Sequence, residues 1–170
     1  MMPFISDGTN IVSFAEYQDV LDMDQRLFEA NEGLTDDVVE AALARSTQRI
    51  LTLIRNTDWW RDYYLQKTTN PVYLSDADLP QVDPNKIVGR IADFQDLCVY
   101  HTLWDHLLPR IADFSKEDNA ERAKIGFYQG KFQFLFDEII NGGDWYDLGG
   151  DGTVDRSEKF PGNYSLKRIR

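Results

Sequence analysis

Long apolar runs, paired cysteines and the short glycine signatures of nucleotide-binding folds are all missing from this sequence, and basic residues are in the minority. No stretch approaches the ~20 apolar residues that a membrane-crossing helix needs, so no membrane association is expected. The N-terminal Met-Met-Pro-Phe-Ile-Ser-Asp-Gly carries no basic segment followed by an apolar one, so a secretory leader is not expected either. Cys98 is the only cysteine, which excludes an intrachain disulfide, and its neighbours Leu97 and Val99 suit a buried thiol. Lysine and arginine total 18 against 29 aspartates and glutamates, a formal net charge of −11 that disfavours attraction to nucleic-acid phosphates. There are two histidines, His101 and His106. On a regular helix only Cys98 and His101 share a face, and two ligands are too few for structural zinc. A core or interfacial histidine is the expectation. No Gly-x-Ser-x-Gly, P-loop or dinucleotide fingerprint occurs, and the carboxylates are too numerous for any pair to stand out as acid and base. An enzyme is not expected.

What is present is a chain of 170 residues with 42% apolar content, enough for one ordinary domain with a sizeable core. Pro3, Gly8 and an Asp-Gly pair give an irregular or short extended lead-in. Ser13 and Glu16 have capping-box spacing and predict a short helix with Phe14, Tyr17, Val20 and Leu21 on one face. Thr35 caps the strongest amphipathic segment, in which Val38, Val39, Ala42, Leu43, Ile50, Leu53 and Ile54 recur at helical spacing. Thr57 or Asp58 starts another helix, carrying Trp59, Trp60, Tyr63, Tyr64 and Leu65, an aromatic cluster suited to a core or a subunit contact. Pro71, Pro80 and Pro84 mark a connector over 68–84, with Val72 to Leu74 extended. From Pro84 a long helix is predicted, with Ile87, Ile91, Phe94, Leu97, Cys98, His101, Trp104, Leu107 and Leu108 as its stripe, ending near Pro109. The last helix is predicted from Lys116 to Ile140, bearing Ala123, Phe127, Gly130, Phe134, Leu135, Glu138 and Ile139, and stopped by Asn141-Gly142-Gly143. The expected architecture is mainly α, a helical bundle over 1–143 followed by an extended C-terminal arm over 144–170.

One motif carries chemistry. Residues 147 to 158 read Asp-Leu-Gly-Gly-Asp-Gly-Thr-Val-Asp-Arg-Ser-Glu and can be laid on the twelve-residue EF-hand calcium loop. Asp147 takes the first position, Asp151 the fifth, Gly152 the turn, Thr153 the backbone-carbonyl position, Asp155 the ninth and Glu158 the twelfth. Gly149 stands where a third-position ligand is usual, which should weaken affinity. Pro161-Gly162 leaves no room for a long exiting helix and no second loop occurs. An isolated structural Ca2+ site is therefore expected in preference to a signalling switch; an acidic turn with no ion is the bland alternative.

The run Asp144-Trp145-Tyr146-Asp147, with Gly150-Asp151-Gly152-Thr153-Val154 and Ser157-Glu158-Lys159, is similar to C-terminal segments of tailed-bacteriophage virion proteins. The helical part resembles their head-to-tail connector, or adaptor, proteins. That resemblance implies a homo-oligomeric ring below the portal in the virion neck, made in the host cytoplasm and helping to form the DNA conduit. It implies the portal protein and neighbouring neck or tail proteins as partners, and it brings no catalytic residues. An acidic body would let DNA pass without binding it. The basic end, through Tyr164, Leu166, Lys167, Arg168, Ile169 and Arg170, would dock on a partner surface. A calcium-responsive protein-binding module is the alternative function.

Overall fold

Helix-period apolar residues bring most of this chain into helices around one core. A computed structural model describes residues 4–29, 33–67 and 75–159, and it is mainly helical. A short antiparallel hairpin, β1 (Ile5–Ser6) and β2 (Ile11–Ser13), leads in, with Asp7 Oδ1 accepting from the Thr9 and Asn10 N–H groups at its turn. Two small helices follow, α1 (Tyr17–Met23) and α2 (Gln25–Glu29). The capping box of α1 joins Glu16 and Asp19, three residues beyond the expected Ser13 and Glu16. Ser13 instead belongs to β2 and gives its hydroxyl to the Ala15 carbonyl.

Helix α3 (Asp36–Arg55) follows its predicted cap at Thr35, and buries Val39, Ala42, Leu43, Ile50, Leu51 and Ile54. Asp36 and Asp37 lie in its first turn and Arg55 in its last, each complementing the helix dipole. Helix α4 (Asp58–Lys67) starts where predicted. Two short 3-10 turns, Asp76–Asp78 and Pro84–Lys86, occupy the proline-rich connector, and the extended segment expected at Val72 to Leu74 lies outside the described residues.

The long helix does not begin at Pro84. Ile87 pairs its backbone with Tyr146 as an isolated bridge, and α5 (Ile91–His101) starts after Arg90, which takes a left-handed conformation. The helical run does end near Pro109, as expected, at Ile111. A π-helical turn, Thr102–Leu107, continues directly into α6 (Leu108–Ile111). Helix α7 (Ala120–Gly142) is capped by Asn119, whose side chain accepts from the Arg122 N–H, and closed by Gly143. Helices α3 and α7 flank α5 and the π turn to form the bundle. The stripe that α7 buries is Tyr128, Phe132 and Ile139, while Phe127 and Phe134 face solvent. A four-residue helix, α8 (Arg156–Lys159), ends the described chain.

Polar groups also bind the bundle. Thr47 accepts from the Phe14 N–H at 3.1 Å and lies 3.4 Å from the Cys98 sulfur. Cys98 is fully buried, as expected, and burial pushes its thiol pKa up to about 11, which makes it inert at neutral pH. Asp24, buried at the α1–α2 junction, accepts from Lys124 Nζ at 2.7 Å and from the Tyr128 hydroxyl at 3.3 Å, fastening α7 to the N-terminal helices.

Candidate functional site

The segment after α7 is anchored by a fully buried aromatic. Trp145 is fully buried, with ring centroids 4.8 Å from Trp59 and 5.6 Å from Phe94. The aromatics of α4 thus serve as core: Trp60 and Tyr63 stack on one another and meet Tyr146 edge-on. Backbone bonds lock the insertion. Trp145 O accepts from the N–H groups of Val88 and Gly89, and the Asp147 N–H reaches Lys86 O at 2.9 Å. Arg90 completes the clamp, with Nε 2.6 Å from Asp144 Oδ1 and Nη1 3.3 Å from Glu138 Oε1. Gly143 is required here: its φ of 62° is left-handed, and a Cβ would overlap the Lys159 carbonyl as α8 folds back on the end of α7.

The loop 147–158 is built around its two terminal carboxylates. Asp147 and Glu158 are 3% and 6% exposed, although eleven positions separate them in sequence. Asp147 accepts from the N–H groups of Gly150 and Gly152, at 2.7 and 2.8 Å. Glu158 Oε1 accepts from the Leu148 and Gly149 N–H groups, and Oε2 from the Asp155 N–H at 2.8 Å. The last bond, with Glu158 N–H on Asp155 O, is the reciprocal pairing that starts α8 at the tenth loop position. Gly152 turns the chain at φ 86°. Asp151, exposed, has its pKa lowered by the N–H and hydroxyl of Thr153. Thr153 and Asp155 are exposed as well. Tyr63 connects the loop to the aromatic core: burial first, then Tyr146, Glu158 and Asp147, push its phenol pKa far up.

Of the expected ligands the structure brings Asp147 and Glu158 together, whereas Asp151 and Asp155 stay exposed and no three carboxylates of the loop converge. Two buried carboxylates lie on the same side of Gly149, whose added Cβ would stand 3.6 Å from Glu158 Oε1 and 3.7 Å from Asp147 Oδ1. Among the described residues neither carboxylate is paired with a lysine or arginine, so backbone dipoles alone face their charge. Hard oxygen donors of this kind, on a loop already bent by Gly152, suit Ca2+. Asp147 and Glu158 would hold the ion as placed, and Asp151, the Thr153 carbonyl and Asp155 would have to close on it from exposed positions. Its contribution would be to neutralise the buried charge and tie α8 to the bundle. The expected docking residues Tyr164, Leu166, Lys167, Arg168, Ile169 and Arg170 lie outside the described residues.

Two features escaped the sequence. The histidines do meet: the rings of His101 and His106 are 5.7 Å apart, because the intervening turn is π-helical. His101 is 2% exposed, and burial, assisted by His106 and Arg49 and opposed by Asp105, lowers its pKa to about 4. The second is the outer face of α7, where Phe127 and Phe134 are 58% and 72% exposed and stand seven residues apart. Phe114 is exposed just before this helix. A strict period from Phe127 would have placed Phe134 on its face, and Tyr128, Phe132 and Ile139 on another. No family model, curated protein or solved structure matches the chain.

Proposed function

We propose that this chain is a structural subunit of a tailed-phage neck, a head-to-tail adaptor that assembles as a ring below the portal. The observation that carries the proposal furthest is the outward face of α7, the longest helix of the bundle, which holds Phe127 and Phe134 in solvent. Aromatic side chains at one-and-a-half to two turns' spacing on a helix are what a neighbouring protein covers. The net charge of −11 supports the same role, since a conduit wall must repel the phosphates that pass it. A tethered C-terminal segment adds to it: Trp145 and Arg90 fix the chain at the end of α7, and the basic residues Lys167, Arg168 and Arg170 follow in sequence.

In this reading the loop is a structural element. Calcium would hold α8, and hence the start of the arm, at a constant position for docking. The portal and adjoining neck or tail proteins are the partners, and DNA passes without base contacts.

The decisive experiment is an electron-microscopy reconstruction of native particles, or of the chain purified with its partner. A symmetrical ring seated on a portal-like assembly, with the α7 face buried between subunits and the arm from Pro161 in its neighbour, is the expected result. A chain that occurs singly, and instead changes shape and binds a peptide when calcium is added, would replace the adaptor by a calcium-responsive binding module.

A further inference from the structure

Proline is the origin of a second candidate centre, built from residues outside the loop. Pro109 has no N–H for the Asp105 carbonyl, and in a regular α-helix its ring would press on that carbonyl. The helix widens instead: the Leu108 N–H bonds to Leu103 O, five residues back. On a regular helix His101 and His106 would diverge by ~140° around the axis. Here the ligand atoms of His101, Asp105 and His106 all lie within 4.8 Å of one another.

We infer that His101, Asp105 and His106 form a site for a divalent transition-metal ion of the zinc, cobalt or nickel kind. Two imidazoles and one carboxylate are the donor set such ions take while keeping coordination positions open. His101 is oriented in advance. Its Nδ1 lies 3.0 Å from Ser46 Oγ, which also accepts from Thr102 Oγ1 at 2.8 Å, and the rings of Trp104 and Phe132 pack edge-on against it. With Nδ1–H given to Ser46, Nε2 keeps its lone pair, the outer-shell arrangement that fixes metal-binding histidines. Asp105 and His106, with side chains 43% and 20% exposed, have the freedom to close on an ion at bonds of about 2 Å. A cleft lined by Asp37, Val38, Arg45, His106 and Arg110 brings solvent to the His106 side of the cluster. Arg45 and Arg110 have a further consequence. Asp105 and Asp37 together do not balance a dication beside two guanidinium groups, so the open position should take a small anion or hydroxide.

The test uses the full chain without an affinity tag, titrated with Co2+ while excess Ca2+ occupies the loop. The expected result is one equivalent of Co2+ with a visible ligand-field spectrum, displaced by Zn2+. His106→Gln should abolish the spectrum and Asp105→Asn should weaken binding at least tenfold, whereas Asp147→Asn should leave both intact. Absence of binding, or binding that His106→Gln does not change, would overturn the inference. So would loss of the signal in Asp147→Asn, which would place the ion in the loop. None of these outcomes depends on whether the chain assembles into a ring.

Discussion

Gly149→Asp restores the carboxylate that the loop lacks at its third position, and the structure says what that should do. A side chain fits: the nearest atoms to a Cβ there are Glu158 Oε1 at 3.6 Å and Asp147 Oδ1 at 3.7 Å, and the backbone is outside the left-handed region. Without calcium the new charge faces two carboxylates across a partly solvated gap, a repulsion on the order of 1 kcal/mol. With calcium it becomes an additional oxygen ligand, for which a tenfold gain in affinity, about 1.4 kcal/mol, is the expected scale. At calcium well above Kd that gain appears directly as folding stability. For a domain of this size calcium should therefore raise the Tm of Gly149→Asp by roughly 3 to 6 °C more than it raises that of the parent. Titration calorimetry and paired melting curves, with calcium and with chelator, measure both sides of the cycle. If Gly149→Asp lowers Tm in chelator and calcium restores none of it, the loop takes no ion, and Asp147 and Glu158 serve only as caps for backbone N–H groups.

Three other outcomes are expected. Gly143→Ala should cost at least about 2 kcal/mol, from its left-handed φ and from overlap with the Lys159 carbonyl, whereas Gly126→Ala, with open space around its Cβ, should stabilise by about 0.5–1 kcal/mol; urea unfolding compares them. His101 should make the fold acid-sensitive. Its lowered pKa means that the unfolded chain takes up the proton first, so its contribution is complete above pH ~6.5 and drains as pH falls towards about 4, by at most roughly 3 kcal/mol; His101→Gln should flatten that slope in unfolding measured across pH. The double change Phe127→Ser with Phe134→Ser should alter monomer stability by no more than about 0.5 kcal/mol each, yet reduce incorporation into particles, which quantitative protein analysis of purified virions would detect.

Much of the bundle was legible because α3 reports its own face: a capping Thr35, acids in the first turn and a stripe from Val39 to Ile54 leave one orientation for it. The burial of Cys98 and of the α4 aromatics could be read from the same logic. Errors arose where an apolar residue served something other than helix periodicity. Ile87 continues the α5 pattern in sequence, but its backbone is engaged by Tyr146, a partner 59 positions away that no local pattern reveals. The π turn was invisible to a 3.6-residue reading, although Pro109 inside an apolar stripe was its signal. On α7 aromatics occupy both faces, so periodicity alone could not decide that Tyr128 and Phe132 go in while Phe127 and Phe134 stay out. The loop was legible as a motif; that its first and last carboxylates would be the buried ones follows from Trp145, which pulls the neighbouring chain into the core.

The insertion of Trp145 also sets a schedule for folding. Its ring fills the space between Trp59 and Phe94, residues made long before it, so the nascent helices emerge with a hole at their centre and cannot close around it. Contacts spanning that much sequence are slow to form and leave apolar surface open meanwhile. The bundle should therefore mature after its late residues leave the ribosome, and chains interrupted before Trp145 should be targets for chaperones and proteases. Quality control would then precede assembly: only a chain long enough to seal its own core would present a completed α7 face to its neighbours.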